Sequence, residues 1–236
     1  MDQRPFFFKK FALFHHRSTM KIGTDAILLA RWVEVSDNDD VLDIGTGCGL
    51  IPLMLAQKGI KSADAVEIDR DSYEEAAQNF GNSAWKSQLC AINDDIRHYT
   101  LTCGKKYDLI VSNPPFFFGD NVPEKEKKGL ARHTNTLSYN DLIISVKSLL
   151  KPDGRFFIVL PALESKIFLK DAANHGFYLK KEMKIVPIEG KASNRINMQL
   201  TVNQVDSVES ETFVLRNPDH SFTNEYKEFL KDFYLD

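Results

Sequence analysis

A doubly wound α/β fold is what this sequence predicts, and three observations predict it. Short apolar runs recur between stretches of helical period for most of the chain. A glycine-rich turn joins one such run directly to a helical stretch. Towards the tail the rhythm changes to two strand-like runs separated only by a loop. Regular alternation of strand and helix gives a mostly parallel sheet with helices on both faces. The closing pair adds an antiparallel hairpin at the edge, for seven strands in a Rossmann-like arrangement.

The elements follow in order. "TDAILLARWV" reads as a helix capped by Thr24 or Asp25. Five runs read as buried strands: "DVLDIG" (40–45), "ADAVEID" (63–69), "QLCAIN" (88–93), "YDLIVSN" (107–113) and "GRFFIVLP" (154–161). Each is short, rich in branched or aromatic residues, and bounded by turn formers. Between them, "GLIPLMLAQKG" stops at Gly59, and "DRDSYEEAAQNFGNS" is amphipathic. "SYNDLIISVKSLLKPDG" opens with Ser138 as N-cap and closes on a Pro-Asp-Gly turn. "KKEMKIVPIEG" and "NRINMQLTVNQ" form the edge hairpin. "NEYKEFLKDFYL" carries Tyr226, Phe229, Leu230 and Phe233 at helical spacing, as a packing helix does. "GDNVPEKEKKGLARHTN" is a long polar loop, of the kind that is often functional or mobile.

At 236 residues the chain suits a single domain spanning 1–236. Hydrophobic content of 43% and charged content of 27% describe an ordinary soluble protein. No apolar run reaches the length of a membrane span, and Lys9, Lys10 and two histidines interrupt the N-terminal apolar stretch, unlike a signal peptide. Cys48, Cys90 and Cys103 form neither a metal spacing nor a disulfide framework, so a reduced cytoplasmic setting is the expectation. A net charge of −3 argues against non-specific coating of nucleic acid and leaves room for a local basic face.

The chemistry begins at "VLDIGTGCGL". Gly45, Gly47 and Gly49 let the backbone turn tightly and approach a ligand closely. Asp43, just before them, opposes a pyrophosphate and favours a ligand with an ammonium or sulfonium group. Glu67 ends the next strand, where a carboxylate can accept from both hydroxyls of a ribose. The third strand runs into Asp94-Asp95-Ile96: one of the aspartates suits an adenine amino group, with Ile96 against the ring. An adenine, a ribose and a cationic amino-acid tail without phosphate describe S-adenosylmethionine. Here the chain resembles the class I methyltransferases.

A second motif, "SNPPF", closes the fourth strand of the core. An exocyclic amine conjugated to a base is a poor nucleophile. Two acceptors that take its two N–H groups pull it towards a tetrahedral, nucleophilic geometry. The Asn113 side-chain oxygen is one and the Pro114 carbonyl the other. The Pro114-Pro115 pair fixes the direction of that carbonyl. Phe116 can stack on a flat base, worth about 1–3 kcal/mol. Asn-Pro-Pro-aromatic in this place resembles the motif of methyltransferases that act on planar amide or amine nitrogens. It is shared among enzymes for DNA adenine, RNA adenine or guanine, and release-factor glutamine.

The N-terminal stretch "FKKFALFHHRSTMKIGTDAILLARW" is similar to that of the bacterial tRNA1(Val) adenine-37 N6-methyltransferases, best over Met20–Asp25 and Leu28-Leu29. "ALESKIF", "SNRINMQL" and the chain's size agree. Phe116 stands where Tyr is common, and His15-His16 where a His-Asp pair is familiar. The resemblance implies N6 methylation of a tRNA adenine beside the anticodon, with no obligatory protein partner; no Cys or carboxylate accompanies His15 and His16 at metal spacing, so both read as surface or packing residues and no metal is expected. The resemblance also implies that residues 1–36 form an extension and lid over the methionine end of the cofactor, with Lys21, Gly23, Thr24 and Asp25 close to it and Lys21 meeting the carboxylate. A guanine-N2 or rRNA adenine enzyme stays open, as does a release-factor glutamine enzyme, although few residues precede the first strand for the helical domain that last family carries. For RNA phosphates the candidates are Lys125, Lys127, Lys128 and Arg132 in the polar loop, and Arg195. Lys9, Lys10, Arg17, Lys180, Lys181 and Lys191 are further cations on offer.

Overall fold

The computed structural model describes residues 4–115 and 137–235. Two short strands, β1 (Phe6–Phe7) and β2 (Ala12–Leu13), pair antiparallel ahead of helix α1 (Thr24–Trp32). Then β3 (Asp40–Ile44), α2 (Leu50–Lys58), β4 (Ser62–Glu67), α3 (Arg70–Gly81), β5 (Leu89–Asn93), α4 (Ile96–Thr102) and β6 (Tyr107–Ser112) alternate. After 116–136 come α5 (Tyr139–Leu149), β7 (Leu150–Pro161), α6 (Ala162–Asn174), β8 (Tyr178–Val186), β9 (Arg195–Thr201), β10 (Glu209–Val214) and α7 (Asn224–Leu230).

The main sheet has eight strands in the order β10-β8-β9-β7-β6-β3-β4-β5. Strands β3 to β7 are parallel, so their C-terminal ends share one edge, and β9 runs antiparallel between β7 and β8. Parallel strands are covered on both faces and therefore read as unbroken apolar runs. Val41, Ala65, Val111, Phe157 and Val159 face a layer built from α1, α2, α3 and α7. Leu42, Ile44, Val66, Ile110 and Ile158 face α4, α5 and α6.

Three expectations need correction. The sheet has an eighth strand, β10, outside the hairpin and parallel to β8. Its run "ESETFV" is exposed at its first four residues and buries only Phe213, so no apolar alternation marks it. The Pro-Asp-Gly turn does not separate helix from strand. β7 starts at Leu150, opposite Tyr107, and the register resumes at Leu109↔Arg155, so Pro152-Asp153-Gly154 lies in a bulge. A Cβ on Gly154 would stand 2.6 Å from Leu150 Cγ, which explains a glycine there. Helix α1 is capped by neither Thr24 nor Asp25. Gly23, in extended conformation, is its N-cap, without a side-chain hydrogen bond. Asp25 lies inside the first turn, and its carboxylate accepts from Arg195 Nε on β9 at 2.8 Å.

The two ends of the chain interlock. Phe8 stacks on Tyr234 with ring centroids 6.0 Å apart, and Lys9 N–H donates to the Phe233 carbonyl at 2.7 Å. Gln57 Nε2 holds the Asp232 carbonyl and Arg31 Nε the Phe229 carbonyl, each at 2.7 Å. Among the described residues no helix is long and apolar enough to cross a membrane.

Candidate functional site

The C-terminal ends of β6, β3, β4 and β5 lie side by side, and the predicted motifs converge there. The glycine loop leaves β3 with three positive φ angles, at Gly45 (75°), Gly47 (56°) and Gly49 (85°). The three do different work. A Cβ on Gly45 or Gly47 would meet nothing within 4 Å, so the loop presents bare backbone to open space. A Cβ on Gly49 would stand 2.5 Å from Phe80 Cε1, so this glycine lets α2 begin against α3.

Two strand tips carry orphaned polarity. Asp43 is fully buried, and neither carboxylate oxygen has a hydrogen-bond partner among the described residues. Burial pushes its pKa from 3.8 to about 7; the nearby Thr46 hydroxyl opposes the rise without reaching hydrogen-bond geometry, and the Glu67 charge adds to it. Thr46 Oγ is itself buried and unpartnered among the described residues. On the neighbouring strand, Val111 is Asp43's register partner, and Asn113 follows two residues later. Its Oδ1 is buried and likewise unpartnered among the described residues. Buried polar groups are nearly always satisfied, so acceptors left without donors at adjacent strand ends mark a place for a ligand that brings donors or positive charge. That set of acceptors fits S-adenosylmethionine: a cationic tail for Asp43, with bare backbone at Gly45 and Gly47.

Glu67 differs. Its two oxygens accept from Gly47 N–H at 2.8 Å and Asp69 N–H at 2.9 Å, which locks the loop to β4. Burial raises its pKa and these amide bonds oppose the rise. Each oxygen keeps a lone pair for a further donor. Asp95 caps α4 through Arg97 N–H, and the Arg97 guanidinium lies across both its oxygens. The Arg97 hydrogen bond is the main cause of its lowered pKa, so Asp95 stays ionised. Asp94 instead takes the His98 ring. Ile96 is 5% exposed, at the start of α4. Sequence reasoning missed Ile68. It stands 51% exposed between Glu67 and Asp69, at the sheet end where the loop opens, with Asn93 Nδ2 donating to its carbonyl. An apolar residue directly after the strand-end acid was the available signal.

Lys21 points back into its own segment, its Nζ donating to the carbonyls of His15 and His16 at 2.9 Å and of Ser18 at 3.4 Å. Gly23, Thr24 and Asp25 form the start of α1, tied to β9 by the Asp25–Arg195 pair. Pro114 and Pro115 follow Asn113. Phe116, Lys125, Lys127, Lys128 and Arg132 lie outside the described residues. The remaining cations do not form one face. Arg195 and Lys191 sit at the Asn113 end of the sheet. Lys180 and Lys181, near the start of β8, sit at the other end, where Lys181 pairs with Glu34. Lys9 and Lys10 line a cleft with Trp32 and Lys58, and Arg17 is held on α3 by Gln78 and Glu74.

Residues 9–185 match the methyltransferase small domain family. The chain is 37% identical over 238 aligned residues to a tRNA1(Val) (adenine(37)-N6)-methyltransferase of Trichodesmium erythraeum, covering 100% of this chain and 99% of that one. A protein of the same name from Bacteroides fragilis is 36% identical, covering 98% of each. Among solved structures, a predicted O-methyltransferase from Agrobacterium tumefaciens superposes with a TM-score of 0.67 at 15% identity, covering 89% of this chain and 96% of that one, a likeness of fold.

Proposed function

We propose that this chain, which belongs to the tRNA1(Val) (adenine(37)-N6)-methyltransferase family, methylates the N6 amine of a tRNA adenine, with adenine 37 of tRNA1(Val) as the site. The observation that supports it best is the pair of orphaned acceptors, Asp43 on β3 and Asn113 just past the end of the adjacent β6. When bound, S-adenosylmethionine supplies an electrophilic methyl group on a sulfonium. The chain's own part is binding and orientation. Asp43 answers the cationic tail, Gly45 and Gly47 leave room beside it, and Glu67 accepts from the ribose hydroxyls. Asp95 and Ile96 hold the adenine of the cofactor, with Ile68 as a further wall.

On the acceptor side, Asn113 Oδ1 and the Pro114 carbonyl take the two N–H groups of the target amine, which frees its lone pair. The diproline keeps that carbonyl from turning. Phe116 stacks on the flipped base. Alignment, rather than a strong base, is the work required before transfer. The tRNA meets cations at the Asn113 end of the sheet, with Arg195 and the 116–136 segment as candidates. Residues 1–36 cover the cofactor, no obligatory protein partner enters this scheme, and the cytoplasm is the compartment that suits it.

Labelled-methyl transfer to bulk tRNA from a strain lacking this protein, followed by nucleoside mass spectrometry, tests the proposal. Label in N6-methyladenosine is expected. Label in N2-methylguanosine would keep the site and change the base. Label found only in rRNA, DNA or a protein glutamine would overturn the substrate.

A further inference from the structure

Three polar residues interrupt the buried stripe of α3. Ser72, Glu75 and Asn79 fall on one side of the helix and are 0%, 1% and 1% exposed. A buried carboxylate is costly unless it is hydrogen-bonded. All three hold the same stretch of chain. Asn79 Oδ1 accepts from Phe14 N–H at 2.9 Å, and its Nδ2 donates to the carbonyls of Phe14 and Cys48, each at 2.8 Å. Glu75 accepts from the consecutive amides of His16 (2.6 Å), Arg17 (3.0 Å) and Ser18 (2.9 Å). Ser72 Oγ accepts from Thr19 N–H at 3.3 Å.

Residues 14–19 thus climb α3 from its C-terminal half to its N-terminus. That is the end where Ser72 bonds Asp69, and Asp69 N–H bonds Glu67. Lys21 grips the strap's carbonyls while Glu75 grips its amides. The strap contains no strand or helix, so side chains do the work that a ladder does elsewhere. Asn79 joins it directly to the glycine loop, through the Cys48 carbonyl.

We infer that Glu75 and Asn79, aided by Ser72, are positioning residues for the cofactor site. They fix where the glycine loop and the Lys21–Asp25 segment stand relative to each other before a ligand arrives. The inference rests on the S-adenosylmethionine reading above. Ordering a strap without a ladder costs backbone entropy at every residue. With the anchors removed, that cost falls on ligand binding, and affinity drops. Glu75→Gln leaves one acceptor oxygen and turns an N–H towards amides that need an acceptor.

Hydrogen exchange over residues 14–21, measured with a binding isotherm for S-adenosylhomocysteine, tests this, with Asp43→Ala as the reference for a damaged site. Glu75→Gln and Asn79→Ala should lose protection at the His16–Thr19 amides and bind S-adenosylhomocysteine about ten-fold more weakly. KM for S-adenosylmethionine should rise while kcat at saturation stays within about two-fold. A released strap with unchanged affinity overturns the inference, as does a fall in kcat with KM unmoved. Should Glu75→Gln fail to fold, Ser72→Ala removes the Thr19 contact and keeps the helix cap; a loss of about three-fold is expected, and no loss is again contrary. If the wild-type chain binds no S-adenosylhomocysteine, the cofactor reading itself falls. If it binds and only Asp43→Ala weakens it, the positioning role alone falls.

Discussion

Two parts of the molecule, helix α3 and the sheet end beside it, treat buried polarity in opposite ways. Along α3, Glu75 and Asn79 are buried with their side-chain polar groups answered by backbone. At the tips of β3 and β6, Asp43 and Asn113 are buried with acceptors that nothing in the described chain answers. The contrast is sharpest between two carboxylates on neighbouring strands. Glu67 is claimed by two amides; Asp43 is claimed by none. Burial alone therefore says little about a polar residue. A satisfied one builds the fold, and two orphaned acceptors brought together at neighbouring strand ends mark a place for a ligand.

If that division holds, replacing orphans should harm function and spare stability, replacing a close-packed glycine should do the reverse, and the claimed groups of α3 should act on the site only through the strap they hold. The largest effect is expected at Asn113→Ala. Single-turnover transfer should fall by about 10²–10³ or more, with S-adenosylhomocysteine affinity within about two-fold and the urea midpoint no lower. Equal loss of binding and transfer would make Asn113 a structural residue and break the contrast.

Asp43 comes next, read through pH. Its folded pKa is raised from 3.8 to about 7, so its neutral form is favoured in the ligand-free fold. Its contribution to stability is full below 3.8 and is lost as pH rises through about 7, because the unfolded chain releases that proton first. The loss between roughly pH 5 and 7 is at most about 2–3 kcal/mol. Melts of Asp43→Asn should lack this fall, keeping only the part that Glu67, also raised, contributes in the same direction. S-adenosylmethionine affinity of the wild type should climb over the same range, as the carboxylate ionises against a cationic ligand. A flat affinity profile would argue against the Asp43 contact.

Two glycines of one loop offer a smaller and cleaner separation. Gly49→Ala drives a methyl into Phe80 at positive φ and should cost about 2–3 kcal/mol in urea unfolding. Gly47→Ala meets no neighbour and should cost about 1 kcal/mol in backbone strain while weakening the cofactor isotherm. Smallest of all is the Asp25–Arg195 pair. Part-exposed, it should contribute about 1 kcal/mol or less. Asp25→Asn and Arg195→Met should act alike if the pair is only a strut. If Arg195 also meets a phosphate, only its replacement lowers the salt slope of tRNA binding, by about one.

Much of this was legible because it is local. Parallel strands buried on both faces announce themselves as "DVLDI" or "YDLIVS". The glycine loop and the Asn-Pro-Pro segment are contiguous and sit at strand ends by the logic of the fold. What escaped depends on distant partners. Thr24 and Asp25 look like caps until Arg195, far along the chain, draws Asp25 aside. Glu75 and Asn79 pass for the polar face of an amphipathic helix because the strap they serve precedes them by some sixty residues. β10 escaped for want of apolar alternation. Ile68 was hidden by convention, since an exposed isoleucine in a turn is unremarkable until its neighbours are known.

The contact between residues 8–9 and 233–234 has a consequence for how the protein folds. β1 and β2 precede the main sheet in the chain, yet Phe8 and Lys9 dock against Tyr234 and Phe233, which follow it. Contacts so far apart in sequence close late. The β1–β2 hairpin is therefore seated last: without Phe233 and Tyr234 it would lose these partners, while residues 14–19 would stay tied to α3 through Glu75 and Asn79.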